Sequence, residues 1–202
     1  MRRAALFGPL ALALACRHLP GLAPGLPDCP GELLATEEME GRFLRREAVR
    51  IRGAEVEVAL ELAVQRRGGE LVLVGFSPLG ARLFAVTQRG VATSVEAGLG
   101  RALPIPPLNL LRDLHRVRFL AAGEPAPGEE TSLRLVGGSA IREEWREGRL
   151  LTRRIEGPGG RAAAELRFEP PGAGGGPPRV LLRNEACGYE ATWTLLSEEL
   201  LP

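Results

Sequence analysis

The stretch that most limits the fold is residues 70–88, ELVLVGFSPLGARLFAVTQ. Two apolar runs flank Ser77-Pro78-Leu79-Gly80. Pro78 presets φ for a tight turn, and Gly80 tolerates a backbone that a side chain forbids. Both runs are too short for helices and are bounded by turn residues, so the spacing predicts a β-hairpin. Unlike a surface hairpin it is apolar on both faces. Val72, Val74 and Phe76 point one way, and Leu71 and Leu73 the other. A second layer must cover it, or it lines an apolar cavity.

Residues 55–65 show the clearest alternation in the chain. Val56, Val58, Leu60, Leu62 and Val64 share one face, while Glu55, Glu57, Glu61 and Gln65 lie on the other. That pattern predicts an antiparallel strand with one wet side. Residues 43–51 and 91–95 read as further strands, and Gly-containing turns join them all into a meander. Residues 32–39 predict a short helix ahead of it.

The period changes after Pro104, Pro106 and Pro107. In LNLLRDLHRVRFLAA, Leu110, Leu111, Leu114, Val117 and Ala121 recur at helical spacing. Asn109, Arg112, Asp113 and Arg116 fall largely opposite, which predicts an amphipathic helix with a wet face. His115 is expected at its wet or boundary side. Strands are predicted at 131–136, 149–155, 162–168, 179–184 and 189–195, and residues 141–147 fit neither period. The segment PPGAGGGPP, residues 170–178, is a loop by composition. The total is about nine or ten strands with one good helix.

Residues 1–15, MRRAALFGPLALALA, have the charged start and short apolar run of a secretory signal. That run is too short to span a bilayer. Ala13-Leu14-Ala15-Cys16 resembles a bacterial lipobox, with Cys16 as the lipid attachment site. Residues 16–30 form a Pro-rich tether, and 31–202 a single folded domain. In the enterobacterial sorting rule, Asp after the lipidated Cys retains a lipoprotein in the inner membrane. Arg17 instead permits the outer membrane, periplasmic face. His18, in the tether, is expected to be solvated. An oxidising envelope permits a disulfide between Cys29 and Cys187. Two isolated thiols are the other reading, decided by whether the Cα atoms lie within about 7 Å.

Catalytic chemistry finds little support. Every basic side chain is Arg, which excludes a Schiff base and a P-loop lysine. Arg and acids nearly balance, without a basic stripe, against a nucleic-acid partner. Ser77 is not a nucleophile elbow, because that motif needs Gly two residues later and a helix behind it. Glu129-Glu130, Glu143-Glu144 and Glu198-Glu199 read as solvated charge, since strand neighbours face opposite ways. No cofactor, metal or enzymatic activity is expected.

Three segments together carry a resemblance: VGFSPLGARLF at 74–84, LLRDL at 110–114 and NEACGYEATW at 184–193. With the lipobox and tether they resemble a family of small Gram-negative lipoproteins of unknown function, similar to the LolA/LolB lipoprotein carriers. The resemblance implies an α+β, mainly β fold. It would be an incomplete antiparallel β-barrel, a LolA/LolB-like half-barrel, with a helix lid over an apolar inner face. It supplies no catalytic residues. It implies binding of acyl chains or a lipid-linked product, in lipid or lipoprotein transport, with a hydrophobic ligand or lipoprotein cargo as partner. The membrane would be met through the lipid anchor.

On that reading Val56, Val58, Leu60, Leu62, Val72, Val74, Phe76, Phe84 and Val86 line the interior. Leu110, Leu111, Leu114 and Val117 form the lid face. The same residues also suit a closed core, which a cavity of several hundred Å³ under the helix would exclude. The alternative function is a non-catalytic scaffold or assembly lipoprotein, expected to show a free sheet edge or exposed apolar patch.

Overall fold

A computed structural model describes residues 25–53, 56–98, 103–171 and 176–202. The signal sequence, Cys16 and His18 lie outside them. The order of elements is a 3₁₀ turn at Thr36–Glu38, then β1 (Phe43–Gly53), β2 (Glu57–Arg67), β3 (Glu70–Phe76), β4 (Arg82–Arg89) and β5 (Ala92–Ala97). Helix α1 (Pro107–Leu114) follows and runs into a π-helical turn at His115–Phe119. The chain ends with β6 (Thr131–Val136), β7 (Ser139–Arg146), β8 (Arg149–Glu156), β9 (Ala162–Glu169), β10 (Arg179–Asn184) and β11 (Tyr189–Leu200).

All eleven strands belong to one antiparallel sheet, in the order β5-β4-β3-β2-β1-β11-β10-β9-β8-β7-β6. Every neighbour is consecutive in sequence except β1 and β11, which pair at the centre. Two meanders are thus joined where the first strand meets the last. The outer strands β5 and β6 do not pair with each other, so the sheet is an open half-barrel. The segment between them carries α1 against the inner face. Apolar residues from both meanders and from α1 form one core cluster, so the sheet wraps round the helix.

Three local differences from the sequence pattern have physical causes. Residues 141–146 belong to β7, whose alternation hides because its inner face carries Glu143 between Ile141 and Trp145, and Glu147 begins the turn after it. Residues 32–39 form only the 3₁₀ turn. Ahead of it the chain is an extended strap, because its backbone groups are taken by side chains: the Leu34 N–H donates to His115 Nδ1 and the Leu34 carbonyl accepts from Gln88 Nε2. The helix ends after two turns, in a π turn capped by the Leu120 N–H on the His115 carbonyl.

Candidate ligand-binding site

The expected interior has to be revised at β3. Val64 pairs with Leu73, and Leu62 with Gly75. Residues opposite one another in a ladder share a face. The inner face of β3 is therefore Leu71, Leu73 and Gly75, all buried, while Val72, Val74 and Phe76 lie on the outer face, half-buried. A hairpin apolar on both sides has no intrinsic inside, so only the register could decide. Gly75 shows why the choice is forced: a Cβ there would lie 2.2 Å from the Phe84 ring, which packs close against the glycine.

The other expected lining residues are on the inner side. Val56, Leu60, Leu62, Phe84 and Val86 are buried, and half-buried Val58 pairs with buried Ile51. Leu110, Leu111, Leu114 and Val117 are buried against them. This half of the interior is filled core. The Ser77 turn is closed by backbone hydrogen bonds between Ser77 and Ala81 and from the Gly80 N–H to the Ser77 carbonyl. Leu79 stands at its tip, 97% exposed.

Of the helix face read as wet, Asn109, Asp113 and Arg116 are buried and Arg112 is half-buried. Asn109 accepts from the Cys29 N–H at 2.8 Å and donates to the Pro27 carbonyl at 2.7 Å. Asp113 accepts from Arg116 Nη1 at 2.8 Å, from Asn184 Nδ2 at 3.3 Å and from the Tyr189 hydroxyl. Arg116 also donates to the Pro30 carbonyl at 2.6 Å. Burial pushes the Asp113 carboxyl up, and the Arg116 guanidinium, with the Tyr189 and Asn184 hydrogen bonds, pulls against it. Burial and the Asp113 charge push the Tyr189 phenol up. The strap covers this face of the helix, and the structure joins Cys29 to Cys187, Cα atoms 5.8 Å apart.

His115 is likewise buried, not solvated. Its Nδ1 accepts the Leu34 N–H at 3.0 Å, so Nε2 carries the proton and donates to Gln88 Oε1 at 2.8 Å. Burial lowers its pKa to about 3. Glu143 is the second acid read as solvated that is buried. It binds Arg153 Nε at 2.6 Å, and Arg153 Nη1 donates to the Arg116 carbonyl at 2.6 Å. Burial lowers the Arg153 pKa, and the Glu143 carboxylate opposes the shift. Glu47, opposite a bulge at Leu196 in β11, takes both Arg118 Nε and Nη2 at 2.9 Å. These pairs hang the π-helical turn from both halves of the sheet.

The open space lies elsewhere. A cavity of about 560 Å³ sits between the strap, the end of the π-helical turn and the inner side of β6 to β9. Leu120, Val136, Ile141 and Ile155 give it an apolar lining, and Pro30, Gly31 and Glu32 form the strap side. Small residues border it as well: Gly157, Ala162, Ala163 and Ala186. Its volume falls in the range of small-molecule sites. None of the residues expected from sequence lines it. The signal available was the alanine-rich segment 162–164 opposite the turn 157–160. A hollow of about 540 Å³ on the outer face is walled instead by exposed side chains such as Arg50, Arg52, Glu61 and Glu190. Among the described residues no three His, Cys, Asp or Glu side chains gather as a metal site. No described helix is long and apolar enough to cross a membrane.

Fold and site together define a class: open antiparallel half-barrels with a helix against the inner face and an apolar pocket beside it. The chain belongs to the family described as Protein of unknown function (DUF3261), whose model matches residues 45–197. No curated protein sequence matches it. Among solved structures it is similar to a LolA superfamily protein from Nitrosomonas europaea, with a TM-score of 0.46 and 12% identity over 83% of this chain and 90% of that one. It is also similar to a domain described as an outer membrane lipoprotein-sorting protein from Vibrio parahaemolyticus, with a TM-score of 0.42 and 9% identity over 79% of this chain and 85% of that one.

Proposed function

We propose that this protein binds acyl chains or a lipid-linked product non-catalytically, as a lipoprotein anchored by Cys16 to the periplasmic face of the outer membrane. The observation that carries the reading is the cavity of about 560 Å³ lined by Leu120, Val136, Ile141 and Ile155. Binding there is burial of apolar tails, driven by area removed from water. The binding region is thereby moved from the hairpin half of the sheet to β6–β9. Native mass spectrometry of protein released gently from its own envelope tests it. Acyl-bearing species should copurify, and a uniformly ligand-free protein would sink the reading. The anchor has its own test: radioactive palmitate should label the protein, and a Cys16→Ala form that still labels would refute it.

A scaffold reading rests on a different observation. Edge strand β6 leaves one ladder side unpaired and exposes Leu133 at 59% and Leu135 at 74%. Bare edges of this kind invite pairing with another chain. Arg substitutions at Leu133 and Leu135 would then abolish capture of a partner and leave any copurifying lipid unchanged.

A further inference from the structure

We infer that the pocket takes one acyl chain, carried by an amphiphile with a zwitterionic head, and not the several chains of a lipoprotein. This rests on the proposed function and narrows it to a ligand class.

The first ground is capacity. The cavity of about 560 Å³ lies within the range of sites that hold one small ligand, the size class of a single acyl chain and not of several. The second ground is that the walls cannot spread. Pro30 and Ala186 both line it, and each is the chain neighbour of a half-cystine, Cys29 or Cys187. The disulfide therefore sets the distance between the strap and the β10–β11 turn. Arg116 reinforces it by holding the Pro30 carbonyl. Glu32 extends the strap to the far side, where its carboxylate rests against Gly137 in the β6–β7 turn. A Cβ at Gly137 would lie 2.6 Å from the Glu32 Oε2.

The third ground is the charge left over. Among the described residues four ionisable side chains line the pocket: Glu32, Arg116, Arg161 and Glu185. Arg116 is taken by Asp113, and Glu185 by Arg183 at 3.2 Å. Arg161, on the β8–β9 turn, and Glu32, on the strap, make no ion pair among the described residues. One free cation and one free anion complement a head with one phosphate and one ammonium. A fatty-acid carboxylate satisfies Arg161 alone, and Glu32 repels it.

Titration of the full-length protein, held in a mild neutral detergent and read by native mass spectrometry, tests this. The probes are palmitoyl lysophosphatidylethanolamine, palmitate and a tripalmitoylated lipopeptide. The expected result is one lysophospholipid per chain, two- to five-fold tighter than palmitate, the range an exposed ion pair supplies. The lipopeptide should not bind. Arg161→Glu and Glu32→Gln should each remove the preference over palmitate and keep the stoichiometry. Lipopeptide binding that Ala162→Leu abolishes would overturn the single-chain inference and leave the proposed function standing. Palmitate binding as tightly as the lysophospholipid would overturn the headgroup assignment. Failure of all three probes would overturn the inference together with the reading beneath it. The comparison among probes is made on the unsubstituted protein, so it stands even if a variant folds poorly.

Discussion

The Tyr189 hydroxyl, at the start of β11, donates to the Asp113 carboxylate on α1, 76 residues away in the chain. Asp113 is also the partner of Arg116, and all three side chains are buried. Removing the two ends of the contact should therefore differ in cost. Tyr189→Phe leaves Arg116 and Asn184 on the carboxylate and should lower stability by about 1–2 kcal/mol. Asp113→Ala leaves a buried guanidinium without its counter-charge and should cost about 3–5 kcal/mol. Urea melts of both variants check the order, and equal losses would contradict it.

The disulfide between Cys29 and Cys187 closes a loop with a sequence separation of 158. Cross-links over such loops constrain the unfolded chain and stabilise by about 2–5 kcal/mol. Cys29→Ser should lower the melting temperature of oxidised protein. Adding reductant to the unsubstituted protein should bring it to the same value. Reductant should not shift the Cys29→Ser variant further.

The strand meander was readable because its one-sided members, such as 55–65, carry charge on the wet face. At residues 70–76 that signal fails, since Leu and Val alternate with one another and only pairing to β2 selects a face. The helix misled for a different reason. Asn109, Asp113, Arg116 and His115 look like a solvent face, yet their partners are backbone groups of the strap and side chains of β4, β10 and β11. Tertiary partners of that kind leave no periodic trace. The segments LLRDL and NEACGYEATW carry a resemblance and no periodic signal. Their shared meaning is spatial: Asp113 of one meets Asn184 and Tyr189 of the other. The pocket was invisible because absence of bulk at Ala162 and Ala163 has no pattern of its own.

The register of β3 is open to direct test. Gly75→Ala drives a methyl group to within 2.2 Å of the Phe84 ring. Overpacking of that kind costs about 1–3 kcal/mol, and the rigid ring sets the upper part of the range. Val74→Thr, on the outer face, should change stability by less than about 1 kcal/mol. If Val74 faced the interior instead, its substitution would be the costlier of the two in thermal melts.

His115 should make the fold acid-sensitive well above the carboxylate range. Its folded pKa is lowered to about 3 from an ordinary 6.5, because burial excludes the charged form and its two neighbours, the Leu34 N–H and Gln88, are neutral. Between those values the unfolded chain binds a proton that the folded chain refuses. Stability is therefore complete above pH 6.5 and falls as the pH drops below it, by up to about 1.4 kcal/mol per unit. Asp113 works in the opposite sense, since its folded pKa is raised from 3.8. The His115 contribution is therefore read between pH 6.5 and 5 as the difference between the unsubstituted protein and a variant at this position. Urea midpoints across that interval should fall for the unsubstituted protein. In His115→Gln, whose amide can accept the Leu34 N–H and donate to Gln88 without titrating, the interval should be nearly flat. An unchanged slope in that variant would assign the acid sensitivity to another group.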